Sequence, residues 1–208
     1  MALHEPMTVL TDYVLGVLCV FLAFRLVRNG AGVSRTCWAG ALAICAVSAF
    51  AGGTYHGFLP RMPVSVSEPL WTATLMSIGC AAFLATIATS AAHLPARWRR
   101  VVMVAAALQL AVYLFAATRT DEFIIAIIDY SVSFGFVLAV HARAWIGHAN
   151  EAARWIVLGV LVSFLAAGIQ AAGIAPHPQF NHNDLYHVVQ MLGMWMLYKG
   201  AAGVADCR

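Results

Sequence analysis

The chain has 208 residues, of which 62% are hydrophobic and 10% charged, with a formal net charge of +3 and a mean hydropathy of +0.81. So few charges cannot coat a globule with polar surface, which excludes an ordinary water-soluble enzyme and points to lipid as the main solvent. There is no basic stripe with interleaved aromatics, so nucleic acid is not expected as a partner. The expected partners are the bilayer, a lipid substrate and other membrane proteins.

Apolar runs of about 20 residues, the length that crosses about 30 Å of hydrocarbon, recur along the whole chain. The first covers 9–28, with Asp12 near its start. The preceding "MALHEPMTVL" lacks the basic segment and small-residue cleavage site of a signal peptide, so this run is expected to stay in the mature protein. The second, 36–58, ends in "SAFAGGTYHGF", which places Ser48, Thr54, Tyr55 and His56 toward one end. Gly52 and Gly53 there allow a neighbouring helix to come close. The third, 68–92, opens at "SEPLW" with Glu68 ahead of Pro69. The fourth and fifth cover 98–118 and 121–141. The fifth opens with Asp121 and Glu122 and carries Asp129 about two turns inside, where a charge needs a partner such as Tyr130, Ser131 or Ser133. The sixth covers 152–172, and the seventh, 183–204, is entered through "NHNDLYH".

Backbone groups in lipid must be bonded within their own segment, and no alternating barrel pattern is present, so the runs are helices. The fold class expected is all-α: a single domain, residues 1–208, of seven transmembrane helices. Ten of the 12 Lys and Arg residues fall on one side of the membrane, leaving Arg61 and Arg119 on the other. The positive-inside rule then puts the N-terminus outside and the C-terminus in the cytoplasm. Five cysteines show no CxxC pair, and no disulfide is expected.

On this layout His56, Glu68, His182, Asp184 and His187 share one membrane level, at the outer ends of the second, third and seventh helices. Asp184 and His187, three residues apart, lie on one helical face. A catalytic zinc wants three protein ligands and an open position for water, which His56, His187 and either His182 or Asp184 would supply, with Glu68 as general base. Plainer roles also suit these residues. Asn183 and Asp184 are what capping a helix requires, and Glu68 complements a helix dipole. His182 and His177 are loop histidines open to solvent. His93, His141 and His148 fall at the cytoplasmic edge, where solvation is the default.

A seven-helix chain with His56 in "TYHGF", Glu68 in "SEPLW" and a His-rich opening of the last helix resembles the CREST superfamily. That group includes the alkaline ceramidases and the progestin and adiponectin receptors. The resemblance implies a zinc ion held by one histidine from helix two and two from helix seven, and hydrolysis of a lipid amide or ester. His56 matches the helix-two ligand, and His187 the second histidine of the family's HxxxH. The chain departs from the pattern at Asn183, where the first histidine would stand. His182 is one residue away, and that offset rotates a helical side chain by about 100°. Gly52 replaces the family's serine, and Glu68 its aspartate. On this basis Glu68 and Asp184 are the expected catalytic acids and His56, His182 and His187 the expected zinc ligands. The alternative is a non-enzymatic subunit or receptor that keeps the architecture. A haem protein ranks lower because no CxxCH is present, and a retinal protein because Lys199 sits near the end of its helix. The chain also resembles bacterial membrane proteins with the "HNDLYH" stretch, which implies the bacterial inner (plasma) membrane.

Overall fold

The computed structural model describes residues 3–207. They form α1 (Pro6–Arg28), α2 (Val33–Phe58), α3 (Val64–His93), α4 (Ala96–Ala117), α5 (Ile124–His148), α6 (Glu151–Ala171) and α7 (His182–Gly203), with a short 3-10 turn at Leu59–Arg61. The all-α expectation holds. Helices α2 and α3 begin three to four residues before the apolar runs at 36 and 68, because Ser34, Arg35, Ser65 and Ser67 continue the helix beyond its apolar stretch.

Six helices, α1 to α6, are long and apolar enough to cross a membrane. Helix α7 has 22 residues, but His182, Asn183, Asp184, His187, Gln190 and Lys199 dilute its hydropathy. Three of these six are covered by protein instead: Asp184, His187 and Gln190 are buried, while Lys199 is exposed.

Neighbour packing runs α1–α2–α3–α5–α6–α7 and closes from α7 back to α1, so six helices form a ring. Helix α4 lies outside it against α3 and α5, and only 17% of its apolar window is buried, against 61% for α3. Gln109 holds α4 in place by donating to the Asp129 carboxylate and carbonyl on α5, each at 3.0 Å. The partner of Asp129 is therefore on a neighbouring helix, and the same amide group reaches Ser133 at 3.0 Å.

Apolar helices gain little from lipid on meeting each other, so close packing of small residues must hold them together. The α6–α7 seam shows this. A Cβ added to Gly200 would run into the Ile156 side chain and stand 2.7 Å from the Ala152 carbonyl oxygen. Just beyond this end of α7 the chain is pinned by its own tail. The Asp206 carboxylate accepts from the Val33 and Ser34 N–H groups at 2.7 and 2.8 Å and so caps α2. Arg35 donates to the Ala202 carbonyl at 2.9 Å.

Replacing Gly200 with Val forces α6 and α7 apart. The expected loss is about 1–3 kcal/mol, the usual range for overpacking, read as a lowered thermal midpoint of the detergent-purified protein.

Candidate functional site

One face of α1 carries Thr8, Thr11 and Asp12, with Glu5 one turn before on the residue that precedes the helix; spacings of three and four align them. All three helical residues are buried although each is polar. A buried polar group needs a partner, and these find theirs on α7 and within the α1 segment itself.

His187 of α7 is held between two residues of α1. Its Nε2 lies 3.1 Å from Asp12 Oδ1, and its Nδ1 lies 3.0 Å from Thr11 Oγ1. With Asp12 as a carboxylate, Nε2–H donates to it, and Nδ1 is left as an acceptor that shares the one Thr11 hydroxyl proton with the Met7 and Thr8 carbonyls. One turn earlier, Asp184 makes a capping box with Asn181: the Asn181 side chain accepts from the Asp184 N–H at 3.2 Å, and Asp184 Oδ2 accepts from the Asn181 N–H at 2.8 Å. The other oxygen of Asp184 lies 2.9 Å from the Thr8 hydroxyl, which is also 3.1 Å from Glu5 Oε2. A hydroxyl has one proton, so Thr8 donates to one of these carboxylates at a time. Glu5 in turn pairs with His56 Nδ1 of α2 at 3.3 Å. Two polar chains thus join three helices: His187 with Thr11 and Asp12, and His56 through Glu5 and Thr8 to Asp184.

These chains border a cavity of about 310 Å³ in the middle of the ring. Its wall draws on the six ring helices and on no residue of α4. At the end where α2 and α7 carry their histidines, it is bordered by Asp12, His56, Asp121, His182, Asn183 and His187, and deeper in by Leu15, Leu42, Ala85, Met194 and Leu197. Aromatic rings surround the polar end. Trp71 packs on Tyr55 at 4.8 Å and against His56 at 5.8 Å, and Phe123 links it to Tyr186. The Trp71 indole donates to the Asp121 carbonyl at 2.7 Å, which ties α3 to the segment before α5.

The structure places His56, His182 and His187 on the wall of one cavity. It places the two expected acids elsewhere. Glu68 is exposed at the start of α3 and does not border the cavity, because the helix turns it outward while its neighbour Ser67 faces in. Asp184 is buried at the α1–α7 contact, already bonded to Asn181 and Thr8. Among the described residues no three His, Cys, Asp or Glu groups stand close enough to hold a metal ion. His187 already has both ring nitrogens engaged.

The residues that sequence reasoning left out are those of α1. Thr8, Thr11 and Asp12 form a polar stripe at helical spacing in an otherwise apolar run, and that spacing was the available signal. His141 corrects a second expectation. It is not solvated but fully buried, 3.2 Å from His93 and 3.3 Å from Thr89, because packing of α5 on α3 covers it. His177 is exposed in its loop, and His148 at the end of α5.

These features define an all-helical protein of membrane-compatible helices with a polar-ended internal cavity. The chain belongs to DUF6962, described as a family of unknown function, whose model matches residues 7–206. No curated protein and no solved structure matches it.

Removing one member of a buried pair strands the other. His187→Ala leaves the Asp12 carboxylate buried with no imidazole to meet it, at an expected cost of about 3–5 kcal/mol. The Asp12→Ala/His187→Ala double variant should lose less than the sum of the two single losses, as a double-mutant cycle in detergent would show.

The hydrogen bond from His56 holds the Glu5 carboxyl below its ordinary value of 4.5, against the upward push of partial burial. A depressed folded-state value means that Glu5 stabilises the fold above that ordinary value, and that this is lost as pH falls through the lowered one. Thermal melts below pH 4.5 should therefore fall more steeply for the wild type than for Glu5→Gln.

Proposed function

We propose that this chain is an integral membrane protein of seven spans, N-terminus outside, that binds an amphiphilic lipid in its central cavity. The tail lies among Leu15, Leu42, Ala85, Met194 and Leu197, and the polar head meets the end that carries His56, His182 and His187. The observation that carries this reading is the cavity itself, mostly apolar along its length and with its ionisable groups gathered at one end. That is the usual make-up of a ligand site. Orientation rests on the ten-to-two division of basic residues, and a seventh span on the 22-residue length of α7, enough for about 30 Å of hydrocarbon. This is the receptor-like, non-enzymatic form of the CREST resemblance.

A second reading is zinc-dependent hydrolysis of a lipid amide or ester. It is favoured by three histidines bordering one cavity, and it requires His187 to exchange Asp12 or Thr11 for the metal. It also requires Glu68 or Asp184, which lie off the cavity wall, to reach it as general base.

The test is solvent extraction of the detergent-purified protein with mass spectrometry of what comes out, alongside its metal content. The binding reading expects about one amphiphile per chain in the wild type and much less in Ala85→Trp, which fills the cavity. Equal lipid in both proteins would overturn it. Stoichiometric zinc, lost in both His56→Ala and His187→Ala, would establish the second reading instead.

A further inference from the structure

Asp12 is 4% exposed, and its Oδ2 has no hydrogen-bond partner among the described residues. Its other oxygen is taken by His187. An orphaned carboxylate oxygen in so buried a place is costly unless something fills the role of donor. None of the described residues donates to it, but the cavity does reach this point, since Asp12 and Gly52 both belong to its wall. A Cβ built on Gly52 would lie 3.7 Å from Oδ2, in ordinary contact. The bare glycine thus leaves a space of about one methyl group beside the unpaired oxygen.

Charge narrows what can enter. The cavity wall includes two carboxylates, Asp12 and Asp121, and neither Lys nor Arg. Arg61 and Arg119, the basic residues of that end, are exposed and outside the wall. A phosphate or carboxylate head would lose its water and meet a like charge. An ammonium head brings three donors and a matching charge, and the aromatic residues Trp71 and Tyr186 border the same cavity.

Resting on the binding reading above, we propose that the cavity selects a single-chain amphiphile with an ammonium head, and that Asp12 Oδ2, reached over Gly52, is its recognition point. A charge-assisted hydrogen bond is roughly twice as strong as a neutral one, which predicts about a tenfold preference for an amine over an alcohol of equal chain length.

The experiment uses dodecylamine, dodecanol and dodecanoate as probes on the full chain in an uncharged detergent. Intact-protein mass spectrometry reads the fraction carrying one probe. The expected ranking in the wild type is amine about tenfold above alcohol, with the carboxylate weakest. Asp12→Asn should bring the amine down to the alcohol. Gly52→Ala keeps the charge and fills the space, its Cβ meeting Thr74 at 3.4 Å without a clash, and should weaken the amine alone. Should Asp12→Asn fail to fold, the wild-type ranking and Gly52→Ala decide the matter. Equal binding of all three probes, or a preference for dodecanoate, overturns ammonium selection while leaving a lipid-binding cavity in place. Failure of every probe to bind overturns both.

Discussion

The contact between Asp12 and His187 is the constraint on which the rest of the arrangement depends. A carboxylate and an imidazole, each more than nine-tenths buried, need one another wherever water is absent. Their meeting ties the first helix to the last and closes the α1–α2–α3–α5–α6–α7 ring. Closure gives the cavity a wall on the side where chain order alone would leave a gap. Thr8 and Thr11 follow from the same geometry, because Thr8 lies one turn before both Thr11 and Asp12, and a helix that aims that face at α7 brings all three there.

Small residues make that contact reachable. A Cβ on Gly53 of α2 would stand 2.8 Å from the Asp12 Cβ, so α1 can lie as close to α2 as it does only because Gly53 has no side chain. On the other flank, Gly200 does the same for α7 against α6. Polar pairing and close packing are thus coupled: the glycines set the helix spacing at which the Asp12–His187 and Glu5–His56 pairs can form. Helix α4 stands outside this scheme. It joins the bundle through Gln109, which bonds to Asp129 of α5, and through Tyr113, whose hydroxyl donates to the Leu75 carbonyl of α3 at 2.7 Å, and no residue of it borders the cavity.

Much of the candidate site could be anticipated from residue type and depth. His56 and His187 interrupt apolar runs, where an ionisable group needs a reason, and both do border one cavity. The acids were harder to place. Glu68 and Asp184 sit at helix starts, where a carboxylate serves the helix end whatever else it does. Which way it points depends on helix rotation, set by packing and not by spacing. Glu68 turns outward, and Asp184 is absorbed into a capping box. Of the two acids that do border the cavity, Asp12 and Asp121, the first comes from the helix furthest in sequence from His187.

The sequence by itself determined that the protein is all-helical and apolar enough for lipid, and where its helices lie, because composition and run length follow directly from bilayer thickness and backbone bonding. It also located the helix ends that carry polar groups. Only the tertiary structure decided that α1 and α7 are neighbours, that α4 is excluded from the ring, and that His141 is buried. Those are questions of which helix faces which, and they are settled by residue pairs far apart in the chain that no single periodic pattern encodes.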